Sequence, residues 1–433
     1  MASRGDSSRR LAALYYRDFR LLWFGDLLSA TGSQMQMIAV NWHVYELLKG
    51  QHYTLTVLGQ PIDFNAEALG LGALGLVRIL PIIVFALVGG VLADVHDRRK
   101  LMIGTQSAAA LFAAILAAIT LAGRESIWAI YLLTAAGAAT AAFDNPARQA
   151  IVPNLVSREH LANAISLNTL LWYAATTIGP ALAGVLVGAF DVGLVYAINA
   201  LSFGAVIASL LLMNYRGHAA ADTGLGWQAM VEGLRFTYRS RIIWGTMLLD
   251  FFATFFSSAR TMLPIVASDV LGVGVEGYGL LATGQPVGAV IAGTILALRR
   301  DIHRQGAVLL VSVAVYGAAT ALFGLSTSFM LSYLLFGLTG AGDTVSTVIR
   351  GTVRQLMTPD RLRGRMTSVN MIFFMGGPQL GELEAGLVAA LVGAPLAIFT
   401  GGVATVLLTG WIAWRYPRLR QYTNDTPVER LAT

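Results

Sequence analysis

The sequence predicts an all-α polytopic membrane protein, with twelve transmembrane helices in two pseudo-symmetric six-helix bundles. Three observations predict it. Of 433 residues, 56% are hydrophobic and 12% charged, about half the ~25% charged share usual in a soluble domain. The apolar runs Ile103 to Ala122, Val192 to Met213 and Ala394 to Trp414 carry at most one charge each, and have the roughly twenty-residue length that crosses a hydrocarbon core. The chain also repeats itself. Arg20-Leu21-Leu22-Trp23 has its counterpart in Arg241-Ile242-Ile243-Trp244, and the segment Val152 to Leu161 parallels Val353 to Leu362.

Hydropathy and loop punctuation place the spans near 21–47, 66–93, 101–122, 127–150, 161–188, 192–213, 243–269, 277–298, 307–325, 329–352, 366–392 and 394–414. With both termini in the cytoplasm, 26 of the 30 Lys and Arg fall on the cytoplasmic side, as the positive-inside rule requires. The domain layout is then a tail 1–20, a first bundle 21–213, a linker 214–241, a second bundle 242–414 and a tail 415–433. The linker holds an amphipathic stretch from Trp227 to Tyr238. Two six-span repeats of one topology place a working cavity between them, near the membrane midplane.

The net charge of +6 has a topological cause, so no nucleic-acid partner is expected. The polar, basic first ten residues hold no apolar run ending in a small-residue cleavage site, and no signal peptide is expected to be removed. With no cysteine there is no disulfide, thiolate metal site or cysteine nucleophile. The Ala, Gly and Arg content suits a bacterial inner membrane.

The strongest local motif lies between the second and third spans: Gly90-Val91-Leu92-Ala93-Asp94-Val95-His96-Asp97-Arg98-Arg99. It resembles the signature loop of the major facilitator superfamily, with Asp97 where that pattern has glycine. Together with Phe143-Asp144-Asn145-Pro146-Ala147-Arg148-Gln149 and Gly376-Gly377-Pro378-Gln379-Leu380-Gly381-Glu382, it resembles the enterobactin-exporter-like branch, alongside drug:proton antiporters. The resemblance runs from Arg17 to about Arg420. It implies that Asp94 meets the start of span 11 and that Arg98 reaches Asp144, a latch closing the cytoplasmic side. In physical terms Gly90 allows close helix approach, Asp94 is an acceptor at a helix end, and Arg98 and Arg99 suit acids or helix C-termini.

Asp144 and Arg148, four apart on one helix face, and Asp343 and Arg350, two turns apart in span 10, are read as gating pairs. In span 5, Ile178-Gly179-Pro180-Ala181-Leu182-Ala183-Gly184 resembles the antiporter motif. Pro180 bends the helix, while Gly179 and Gly184 permit close packing.

An ionisable side chain within a span costs a few kcal/mol on insertion scales, so each calls for a partner or a task. Arg78 lies near the middle of span 2, suited to an anionic solute group or to holding Asp26. Spans 1 and 7 line the cavity in this fold, making Asp26, Gln34, Asn41, Asp250 and Arg260 candidate solute or proton sites. Glu382 and Glu384, two residues or about 200° apart on a helix, cannot both face the cavity. Glu382, beside Gly381 and Pro378, is preferred as proton carrier, with Asp26 and Asp250 as rivals.

No phosphate-binding Gly-x-x-x-x-Gly-Lys loop, His-Glu-x-x-His or Gly-x-Ser-x-Gly occurs, so ATP hydrolysis, cofactors, metals and enzymatic chemistry are not expected. The sequence therefore predicts a secondary transporter, a monomer exporting an amphiphilic small molecule such as a siderophore or drug against protons. Uptake, facilitation, or a transport-inactive sensor or scaffold are the alternatives.

Overall fold

The computed structural model describes residues 11–57, 60–95, 97–215, 234–238, 240–299, 302–359 and 362–423. The long helices of the first half are α1 (Arg17–Leu48), α2 (Ala66–Val95), α3 (Arg98–Leu121), α4 (Ile127–Ile151), α5 (Leu161–Ala189) and α6 (Val192–Leu212). In the second half, α7 (Arg241–Phe256) continues through a 3₁₀ turn at Ala259–Met262 and a π-helical turn at Val266–Val270. Next come α8 (Gly274–Ala282), α9 (Gly284–Leu298), α10 (Gln305–Leu325), α11 (Phe329–Met357), α12 (Arg363–Val392) and α13 (Ala394–Arg415). These segments coincide with the twelve predicted spans. Two spans are not single rods: the seventh breaks after Phe256, and the eighth is divided at Thr283 between α8 and α9.

Nine segments among the described residues are long and apolar enough to cross a membrane. Helices α1, α11 and α12 have 32, 29 and 30 residues and are the more polar ones. Polar groups in a span turn toward the protein interior or a water-filled space. The sequence reading missed an antiparallel hairpin between the first two spans, β1 (His52–Val57) and β2 (Gln60–Asn65), with Thr54 opposite Asp63. The Thr54 hydroxyl donates to Asp63 Oδ1 at 2.6 Å.

The chain divides into two compact units. The first comprises Met1–Val44, Val77–Thr223 and Val275–Leu280; the second Tyr45–Leu76, Gly224–Gly274 and Leu281–Thr433. In the first, α3 packs on α4 and α6; in the second, α10 packs on α11 and α13. The same pairing of third with fourth and third with sixth span in each unit is the internal repeat expressed in three dimensions. The α10–α13 approach depends on glycine, since a Cβ on Gly317 would stand 2.9 Å from the Gly402 carbonyl oxygen. Each unit has a core: Phe19, Leu22, Met102, Ile151 and Leu210 in the first, and Ile243, Met247, Leu309, Ile349 and Ile412 in the second.

Candidate transport site: two buried ion networks

Each unit contains one arginine between two aspartates. In the first, Arg148 of α4 donates from Nε (3.0 Å) and Nη2 (2.8 Å) to Asp144 Oδ2, and from Nη1 to Asp26 of α1. Thr105 of α3 lies 2.8 Å from Asp144 Oδ1 and donates to it. In the second, Arg350 of α11 pairs through Nη1 with Asp250 of α7, and its Nη2 lies 3.7 Å from Asp343. Nη2 also donates to the Thr347 hydroxyl at 2.8 Å. First span to fourth and seventh span to tenth is the same construction in both repeats. Sequence reasoning found the intrahelical pairs but missed the third member of each, because only tertiary packing brings α1 to α4 and α7 to α11.

In the first network two acids share one guanidinium, whereas in the second Arg354, one turn beyond Arg350, adds a cation near Asp250. Uncompensated charge within a span is costly. A group that takes up a proton relieves such a surplus.

Other expected contacts resolve differently. Arg78 does not hold Asp26, which Arg148 holds; Arg78 Nη2 donates instead to Asn41 Oδ1 at 2.8 Å. Arg98 does not reach Asp144 but donates to the carbonyl of Ala150 at 3.2 Å. Arg99 donates to the carbonyls of Leu211 (2.9 Å) and Tyr215 (3.3 Å). Both arginines thus satisfy C-terminal carbonyls of neighbouring helices, α4 and α6, where cations favour the helix dipole. Asp97, the departure from the signature pattern, accepts from the backbone N–H groups of Arg99 (2.9 Å) and Lys100 (3.4 Å) and caps α3. The side chains of 86–95, Gly90 and Asp94 among them, lie outside the described residues, as do 216–233 of the linker and its predicted amphipathic stretch in part.

The remaining candidates are placed as follows. Gln34 is buried, and its Oε1 makes no hydrogen bond among the described residues. Its Cβ would stand 2.6 Å from a Cβ on Gly179, and one on Gly184 would meet Gly279 Cα of α8 at 2.9 Å. The glycines flanking Pro180 are therefore contact points of α5 with α1 and α8. Glu382 of α12 lies against α2, where a Cβ on Gly75 would be 2.8 Å from its own Cβ. Arg260 sits in the break after α7.

A cluster that sequence reasoning missed joins the end of α1 to the π-helical turn. The Tyr45 hydroxyl donates to Asp269 Oδ1 at 2.5 Å, and Lys49 Nζ lies 3.1 Å from the same carboxylate and 3.0 Å from the Ser268 hydroxyl. The Tyr45 hydroxyl first, and then Asp269, hold the Lys49 ammonium above the usual lysine range.

The profile of the transmembrane secretion effector family matches residues 8–431. The enterobactin exporter EntS of Salmonella typhi is 25% identical over 342 residues, covering 79% of this chain and 82% of that protein; the Escherichia coli O81 exporter is 25% identical over 341. Among solved structures, a bacterial homologue of the human lysosomal transporter Spinster, inward-facing and occupied, superposes with a TM-score of 0.69 at 14% identity, covering 95% of this chain and 99% of that one. A POT family transporter in complex with 5-aminolevulinic acid gives 0.71 at 12%, covering 93% and 96%. At these identities the structures establish the fold alone. The fold and the profile that runs from residue 8 to 431 agree: the chain is a multi-pass membrane transporter of the major facilitator superfamily and belongs to its transmembrane secretion effector family.

Proposed function

We propose that this protein is a proton-coupled exporter of an amphiphilic small molecule, siderophore-like or drug-like, working by alternating access as a monomer in the bacterial inner membrane with both termini cytoplasmic. The observation that carries the reading is the arginine held between two aspartates in each unit, Arg148 with Asp26 and Asp144 and Arg350 with Asp250 and Asp343. A carrier driven by protons needs an acid inside the membrane that can be charged in one state and neutral in another, and an arginine shared by two aspartates is a place to seek one. The enterobactin exporters among the relatives support outward transport and a siderophore-sized solute. The partial antiporter motif at Gly179, Pro180 and Gly184, each buried, supports exchange.

In this reading the bundles 21–213 and 242–414 move against each other about the linker 214–241. Asp94, with Gly90, Arg98 and Arg99, governs cytoplasmic closure. Asp26, Gln34, Asn41, Arg78, Asp250, Arg260 and Glu382 contribute to solute and proton binding.

The test uses everted membrane vesicles energised to an acid interior, with a pH dye and a panel of siderophores and amphiphilic drugs. Export by antiport gives solute-dependent proton release that Asp94→Asn abolishes at equal expression. Labelled solute equilibrating with no dye response would show an uncoupled facilitator instead.

A further inference from the structure

The two networks share composition but not state, and we infer that proton exchange takes place at Asp343 in the second network, while the first is a fixed brace. This rests on the proton-coupled reading above and assigns its site to a residue that the sequence pattern suggested only for gating.

In the first network every nitrogen of Arg148 is engaged, and the side chains of Asp144 and Asp26 are 8% and 13% accessible. Arg148, 26% accessible, thus has an acid on each of its nitrogens. In the second, Asp250 is 5% accessible and paired directly with Arg350, but Asp343 is 44% accessible and touches Arg350 only at 3.7 Å. An ionisable group in a span faces the bundle interior or a water-filled cavity, and the open side of Asp343 is where a proton can reach it. Arg350 Nε and the buried Ser346 hydroxyl, one turn apart on α11, have no hydrogen-bond partner among the described residues. Arg350 therefore has donor capacity in reserve.

That reserve supplies the switch. When Asp343 is charged, Arg350 has donors to draw it in and the network closes on two carboxylates. When water delivers a proton, an O–H bond forms on Asp343, the surplus negative charge is gone, and Arg350 remains with Asp250 alone. Loss of the proton to water reverses both changes. Around Asp343 the charged or titratable neighbours are Arg350 on its own helix, Asp250 from α7 and Tyr316 from α10. Helix α9, which also packs on α11, carries no ionisable residue between Gly284 and Leu298. Arg354, one turn beyond Arg350, donates to Asn370 of α12.

Infrared difference spectroscopy on the purified full-length protein, stepped between pH 8 and pH 5, detects the protonated carboxyl C=O band without requiring transport. The band is expected to lose one carboxyl equivalent in Asp343→Asn and to return, shifted, in Asp343→Glu, while Asp144→Asn and Glu382→Gln each keep that equivalent. An unchanged band in Asp343→Asn, or its loss in Glu382→Gln, overturns the assignment. In everted vesicles Asp343→Asn is expected to let solute equilibrate with at least tenfold less proton release per solute; undiminished coupling there also overturns it. If no compound moves protons in the wild type, the export reading fails while the infrared result still decides Asp343.

Discussion

In α4 the acid and the arginine of the ion network are four residues apart, Asp144 and Arg148; in α11 they are seven apart, Asp343 and Arg350. Four residues is one turn, and the two side chains meet directly. Seven residues is nearly two turns, a rise of about 10.5 Å, so a guanidinium already anchored to a neighbouring helix reaches the acid only loosely. One difference in spacing accounts for both states: a saturated arginine with enclosed acids in the first unit, and an arginine with idle donors beside an open carboxylate in the second. The acid–arginine pairs of the two halves thus differ in spacing and in contact without any change of residue type.

The largest effect that would break this comparison is removal of the arginines. Arg148→Met leaves two enclosed carboxylates without a cation and is expected to destabilise by about 3–5 kcal/mol. Arg350→Met strands one enclosed carboxylate and one already open to water, and is expected to cost less. Melting of the detergent-solubilised variants measures both, and equal losses would dissolve the distinction.

Next come the acids themselves. Asp144→Asn is expected to cost about 2 kcal/mol, since it weakens two charge-assisted hydrogen bonds. Asp343→Asn is expected to cost less than about 0.5 kcal/mol, within the range of an exposed substitution. The same melting series compares them.

A register exchange sharpens the argument further. The double change Asp343→Ser with Ser346→Asp gives Arg350 an acid four residues away, as Arg148 has. Stability within about 1 kcal/mol of wild type is expected, with solute-dependent proton release abolished in vesicles. Retained coupling would mean that spacing is not the cause.

The smallest effect contrasts these enclosed networks with an exposed pair. Lys49→Met, at the end of α1, is expected to cost at most about 1 kcal/mol. The Tyr45 hydroxyl and Asp269 raise the Lys49 ammonium above its ordinary value. Its contribution is therefore complete below the unfolded-chain lysine value of about 10.4 and disappears as pH rises through the higher folded value. The melting difference between wild type and Lys49→Met should hold steady from pH 7 to 9 and vanish in more alkaline buffer.

Much of the architecture was legible because membrane insertion imposes a one-dimensional rule: length and apolarity locate α2 to α6, α10 and α13 within a few residues. The repeat was legible from the matched Arg-x-x-Trp and span 4 to 5 segments, and the pairs Asp144–Arg148 and Asp343–Arg350 from helical spacing. The joining of Asp26 and Asp250 to those pairs was not, since it depends on how α1 meets α4 and α7 meets α11. A signal was present in the parallel itself, an aspartate early in the first span of each half and an arginine late in the fourth. The role of Asp97 was hidden because the signature pattern directs attention to the missing glycine, whereas the side chain caps α3. The hairpin at 52–65 lies between two predicted spans and was not foreseen, although His52 to Val57 carries the β-branched and aromatic residues of a short strand.

The most direct test of the central claim sets Asp144→Asn beside Asp343→Asn in everted vesicles and measures protons released per molecule of solute moved. Coupling lost in Asp343→Asn and retained in Asp144→Asn, even where reduced stability lowers the amount of active protein, is the predicted result. The reverse pattern, or loss in both, would contradict the division of the two networks into brace and exchange site.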